Sequence, residues 1–246
     1  MTDTNPKTAL VTGASRGIGA AIARRLAEDG FAVIINYAHS AEKAESLATS
    51  LTAQGHHALA IRADIADPKA VTQMFEQARD HVGGIDVIVN NAGVMTTQPL
   101  ADISDATFDQ MFDINLRGSF NMMREAARFL RDGGRVINLS TTALALKLPG
   151  YGVYNATKAA VEALTGVFAK ELRGRNITVN AVAPGPVATE LFLNGKTDGQ
   201  IAHFAKMPPL ERLGQPDDIA GVISFLAGPD SGWVNGQILR ANGGLA

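Results

Sequence analysis

The chain has 246 residues, 46% of them hydrophobic, a size and composition suited to one large α/β domain around a buried sheet. A formal net charge of -2 and the absence of any basic run argue against a polyanion or membrane-surface binder, so neither nucleic acid nor membrane is expected as a partner. The chain has no cysteine, which excludes disulfides and thiolate chemistry; its histidines (His39, His56, His57, His81, His203) lack metal-motif spacing, so no metal is expected.

Short apolar runs alternate with amphipathic segments along the chain. Residues 8–12 read as a strand and 18–29 as a helix; the pattern repeats with strand 31–36 and helix 41–54, then strand 57–62 and helix 68–82. Strand 85–90, helix 107–130, strand 135–140, helix 154–173, strand 177–183, helix 216–226 and strand 237–241 complete it. Pro68 and Pro216 stand near helix starts, while Gly30, Gly55 and Gly174 lie just past helix ends. Several strands are rich in Val and Ile without polar alternation, as expected when helices cover both sheet faces. The expected fold is therefore α/β: a doubly wound, parallel, seven-stranded, Rossmann-like sheet in a single domain spanning 1–246. No apolar stretch approaches the length of a membrane span, and Met-Thr-Asp-Thr-Asn-Pro-Lys does not read as a signal peptide; a cytoplasmic protein is expected.

One stretch breaks the rhythm. Residues 184–214 hold four prolines and four glycines together with apolar Leu191, Phe192, Leu193, Phe204 and Met207. The stretch follows the sixth strand, at the sheet edge where open α/β folds bind ligands, and is expected to be an irregular substrate lid rather than a surface loop held by oligomer contacts.

Thr12-Gly13-Ala14-Ser15-Arg16-Gly17-Ile18-Gly19 joins the first strand to the first helix. Glycines there permit a tight turn and close backbone approach, and the helix N-terminus offers free N–H groups to a pyrophosphate. The second strand ends in Ile35-Asn36-Tyr37-Ala38-His39-Ser40, with no Asp or Glu for a ribose 2′-hydroxyl. A 2′-phosphate would meet no repulsive carboxylate there, and Arg16, Asn36, His39 and Ser40 could donate to it, so NADP(H) is expected in preference to NAD(H). Further along, Tyr154 and Lys158 share one helix face. The ammonium is expected to lower the phenol pKa toward working pH, making Tyr154 a proton donor to a carbonyl or acceptor from an alcohol.

These motifs together resemble the short-chain dehydrogenase/reductase family over essentially the whole chain, and its 3-oxoacyl reductase-like members in particular. The first loop is similar to TGxxxGxG, Asn90-Asn91-Ala92-Gly93 to NNAG, Tyr154 and Lys158 to YxxxK, and Pro184-Gly185 to the PG motif. The resemblance implies that Tyr154 is the acid–base residue, that Lys158 tunes it and binds the nicotinamide ribose, and that Asn115 holds a water in the proton relay. It implies a cofactor run comprising Gly13, Ser15, Arg16, Gly17, Ile18 and Gly19, then Asp64 at the adenine and Asn91, Ala92 and Gly93 alongside. Pro184, Gly185, Val187 and Thr189, the last at the carboxamide, would complete it with Tyr154 and Lys158.

One position departs from the pattern: Thr141 stands where the family usually has Ser, thirteen residues before the Tyr. Thr141 is expected to take the Ser role, with Ser140 as the alternative should the register be shifted by one. The implied reaction is hydride transfer between nicotinamide and a ketone, 3-oxoacyl group or secondary alcohol. An NAD-linked sugar or alcohol dehydrogenase, and a catalytically silent cofactor-binding regulator, are the alternatives. Relatives often form homotetramers, and surplus apolar surface at Ala159, Ala160, Ala163, Val167 and Phe168 is compatible with a homotetramer or homodimer.

Overall fold

The structure is a computed structural model and describes residues 6–246; the opening segment read above as no signal peptide lies largely outside the described residues. Seven parallel strands form one sheet in the order β3-β2-β1-β4-β5-β6-β7. They are β1 Thr8–Val11, β2 Ala32–Tyr37, β3 Ala58–Arg62, β4 Ile85–Asn90, β5 Leu130–Leu139, β6 Thr178–Pro184 and β7 Ile238–Ala241. Strand order reverses between β1 and β4, which pair directly through Val11 and Val89, so the loops after these strands diverge and leave a crevice beyond their carboxyl ends.

Helices cover both faces. α1 (Gly17–Glu28), α2 (Ala41–Ala53) and α3 (Pro68–Val82) follow the first three strands, at nearly the expected boundaries. On one side Ala9, Val11, Val33 and Ile35 pack with Ile22 and Leu26 of α1. On the other, Leu10, Ile34 and Ile88 pack with Met74 and Phe75 of α3. Alternate residues of a single strand thus serve two cores, which is why these strands show no polar alternation.

The helix expected over 107–130 is interrupted. It consists of α4 (Asp105–Met111), a π-helical turn (Phe112–Gly118) and α5 (Ser119–Phe129). Asn115 sits buried inside the π turn, where its side chain bonds the loop after β4 instead of facing solvent. A widened turn of this kind re-aims one residue without ending the helix, and no hydrophobic periodicity reports it. β5 starts five residues before its expected position, with a register shift against β4 between Ile85 and Val87.

α6 (Ala143–Leu146) is a short turn after β5, and α7 (Gly152–Glu171) carries Tyr154 and Lys158 in its first two turns. Buried amides fix α7 to the sheet. Asn90 Nδ2 donates to Asn138 Oδ1 (2.7 Å), and Asn138 Nδ2 donates to Thr165 Oγ1 of α7 (2.8 Å). Buried polar chains of this sort set one orientation, because any slip would strand further polar groups; only Asn90 Oδ1 in this chain lacks a partner.

The 184–214 segment is less irregular than expected. α8 (Glu190–Leu193) and α9 (Asp198–Lys206) form inside it, with Thr189 capping α8 and a Thr197–Gln200 capping box opening α9. Its ends are pinned by a parallel bridge between Val187 and Gly214. α10 (Pro216–Ala227) then packs beside α1. No helix among the described residues is long and apolar enough to cross a membrane, and they contain no cluster of potential metal ligands.

Candidate active site

A cavity of about 400 Å³ follows the carboxyl ends of the strands from His39 and Ser40 to Tyr154 and Lys158. All of the expected site residues line it except Asn115, which stands directly behind its wall.

The β1–α1 loop forms the floor. Gly13 and Gly17 have φ of 61° and 57°, a left-handed conformation that disfavours side chains. At Gly19 a Cβ would lie 2.5 Å from both Asn91 Nδ2 and the Gly13 carbonyl oxygen, so that position admits no side chain. Arg16, at the N-cap of α1, makes no side-chain cap, which leaves first-turn N–H groups facing the cavity. Bare amides, glycine-only backbone and a helix N-terminus fit a dinucleotide pyrophosphate.

Several residues read as ligand contacts hold the floor itself together. Asn91 Nδ2 donates to the carbonyl oxygens of Thr12 (2.9 Å) and Gly13 (3.2 Å), while the Asn91 and Ala92 amides both donate to Thr12 Oγ1 at 3.0 Å. Asn36 is a correction. Its amide donates to the Ala63 (3.0 Å) and Ile61 (3.4 Å) carbonyls, so it has no free donor for a 2′-phosphate. Its Oδ1 instead accepts from Gly13 N at 3.4 Å and braces the loop.

The end of β2 carries no carboxylate in sequence, but folding brings one to Arg16, the cation expected to meet a 2′-phosphate. Glu190 of α8 pairs with Arg16 at 2.9 Å and lies 3.5 Å from Lys43 of α2. A partner 174 residues away could not be read from local sequence.

At the other end, the three hydroxyls after β5 separate cleanly. Ser140 Oγ donates to Glu162 Oε1 (2.6 Å) and Thr142 Oγ1 to the Ala183 carbonyl (3.0 Å), both away from the cavity centre. Thr141 Oγ1 accepts from Ala143 N (3.2 Å), and Thr141 lines the cavity together with Tyr154. Lys158, 4% exposed, donates from Nζ to the Leu139 carbonyl at 2.8 Å. Asn115 Oδ1 accepts from Val94 N (2.8 Å); its Nδ2 donates to the Val94 carbonyl (2.9 Å) and to Thr157 Oγ1 (3.1 Å). Its side chain therefore clamps the β4 loop onto α7. A Cβ on Gly93 would stand 3.2 Å from Asn115 Oδ1 and 3.6 Å from Lys158 Nζ, so glycine is what lets these groups approach.

The expected acidification of Tyr154 is reversed. Burial pushes its phenol up to about 12, outweighing the opposing effect of the Thr141 hydroxyl, and the neighbouring Tyr151 phenol adds to the rise. Burial pushes Lys158 down to about 8. Desolvation penalises the charged form of both groups, and here it exceeds the attraction their spacing suggests. Tyr154 accordingly keeps its proton at neutral pH, the form that can donate to a carbonyl oxygen.

The signs are testable. Stability from the depressed Lys158 is present above about 10.5 and lost as pH falls through about 8; that from the raised Tyr154 is present below about 10 and lost as pH rises through about 12. Lys158→Met is therefore expected to gain stability relative to wild type at pH 7, by up to about 3 kcal/mol, with the gap closing toward pH 10. Urea unfolding at both pH values checks this; a gap independent of pH would contradict it.

Residues not anticipated from the sequence complete the far wall. Val94, Met95, Leu146, Leu148, Tyr151 and Leu245 join Leu191, Phe192 and Phe204 of segment 184–214 around the space beside Tyr154. Tyr151 carried a signal, standing one helical turn before Tyr154; Leu245 carried none.

Comparison with known proteins agrees with this geometry. A family model described as Enoyl-(Acyl carrier protein) reductase matches residues 13–246. A short-chain type dehydrogenase/reductase of Picea abies is 44% identical, covering 97% of this chain and 92% of its own length. This chain belongs to the short-chain dehydrogenase/reductase family of oxidoreductases. It is also similar to a versicolorin reductase of Emericella nidulans, at 42% identity over 97% of this chain and 95% of that protein. Among solved structures, a blue fluorescent protein from a metagenomic library, in complex with NADPH, superposes with a TM-score of 0.93 at 38% identity, covering 100% of both chains.

Proposed function

We propose that this protein is an NADP(H)-dependent carbonyl reductase acting on a ketone or 3-oxoacyl group, with Tyr154 as proton donor. The observation that carries the reading is the buried Tyr154 phenol, which lines the end of a cavity suited to a dinucleotide together with Thr141 and Lys158. NADPH, when bound, supplies the hydride. Thr141 and Tyr154 hold the substrate oxygen between two hydroxyls; as the carbonyl carbon accepts hydride, the Tyr154 proton passes to that oxygen. Lys158 keeps a positive charge beside the phenol while that proton moves. Two converging hydroxyls suit a carbonyl oxygen better than the C=C bond of an enoyl group. The NADPH complex of a relative of like fold supports the cofactor, as do Arg16, His39 and Ser40 along the cavity.

The apolar wall from α8 and α9 supports a lid over a hydrophobic substrate. A homotetramer or homodimer belongs to the same reading, supported by exposed Phe120 and Val167 on α5 and α7 and by Trp233, 99% exposed, before β7. A cytoplasmic location, with access to the cell's reduced NADPH pool, completes it.

NADPH and NADH consumption with ketones, β-keto esters, 3-oxoacyl thioesters, 2-enoyl thioesters and sugars tests the proposal. Turnover of the enoyl substrates alone, or of no substrate by a protein that binds NADPH, would sink it. The hydroxyl assignment has its own test. Thr141→Ala is expected to lower kcat/KM by about 10- to 100-fold while Ser140→Ala stays within about threefold. The reverse order would move the role to Ser140.

A further inference from the structure

We propose that Glu190 is a resident anion at the 2′-phosphate position and sets the balance between NADPH and NADH while fastening the lid. The proposal rests on the NADP(H) reading above.

Among the described residues, both ion pairs that join segment 184–214 to the cofactor loop and α2 run through this single carboxylate: Arg16 at 2.9 Å and Lys43 at 3.5 Å. Arg16 is the cation expected to receive a 2′-phosphate, and it lines the same cavity as Ser40, His39 and Glu190. A carboxylate and a phosphate monoester compete for a guanidinium by the same charge-assisted hydrogen bonds. Glu190 also opens α8, next to Thr189, with Phe192 packed edge-on to Phe204 of α9 at 5.3 Å between ring centroids. Displacing the carboxylate therefore loosens the start of the lid as the phosphate enters. A nucleotide without the 2′-phosphate leaves the pairs intact and encounters no such competition. Wild-type affinity for NADPH is thus reduced by the displacement, and NADH affinity is not.

The pairs are mostly solvent-exposed, which bounds the effect to a small factor. Glu190→Gln keeps the shape and removes the charge. It is expected to tighten NADPH binding about three- to fivefold while the NADH dissociation constant moves less than about twofold. The NADPH difference is expected to shrink at 1 M salt. In wild type, adenosine 2′,5′-bisphosphate should raise amide exchange at 190–193, whereas 5′-AMP should not; in Glu190→Gln the exchange should already be raised without nucleotide. If the bisphosphate binds neither protein better than 5′-AMP does, the NADP(H) reading fails and this proposal with it. If it binds better, yet Glu190→Gln changes NADPH and NADH affinity by the same factor or leaves exchange at 190–193 unaltered, the role of Glu190 alone is overturned.

Discussion

Tyr154→Phe is expected to lower kcat by about 10³-fold or more with the NADPH dissociation constant within about threefold of wild type, because only the transferable proton is removed. The ring stays, so packing against Met111 and Val153 is kept. Thr141 lines the same cavity, and its hydroxyl can still donate to a substrate oxygen, so some residual rate is expected. Initial rates on the best substrate from the carbonyl panel, with cofactor binding measured separately, decide the matter. Retained kcat would show that the proton comes from elsewhere, and the Tyr151 phenol in the same cavity would be the group to test next.

Gly19→Ala is expected to be damaging by a different route, through the floor of the cavity. Alanine is favoured over glycine in a helix by about 1 kcal/mol, and Gly19 lies in α1, so propensity alone predicts a gain. Packing reverses it. The added Cβ would meet Asn91 Nδ2 and the Gly13 carbonyl at 2.5 Å and Ala14 Cα at 2.9 Å, mostly backbone that cannot rotate aside. Overpacking at such a site costs about 1–3 kcal/mol, and moving Asn91 would break its bonds to Thr12 and Gly13. NADPH affinity is expected to fall by at least about tenfold, together with a lower melting temperature. Gly166 in α7 provides the contrast. No atom outside the adjoining helix backbone lies within 4 Å of a Cβ placed there, so Gly166→Ala should stabilise the protein by up to about 1 kcal/mol. Similar melting temperatures for the two variants would refute the packing account.

Much of this was legible in the chain itself. The alternation of Val- and Ile-rich runs with amphipathic segments specified a parallel sheet covered on both faces, since local hydrophobicity and turn chemistry act within a few residues. The glycine loop, Tyr154, Lys158 and Pro184-Gly185 were readable for the same reason: each is a short run tied to one strand end. Three features were settled only by the tertiary structure. The π turn at Asn115 arises where one residue is drawn toward the β4 loop, a contact with Val94 that helical periodicity does not encode. The pKa of Tyr154 rises because α4, the loop after β4 and the start of α7 pack around it and remove water from the phenol; sequence spacing conveys a neighbouring charge but not desolvation. Glu190 meets Arg16 only because the crossover after β6 brings α8 back over the first loop, and Coulomb attraction follows distance in space, not separation along the chain.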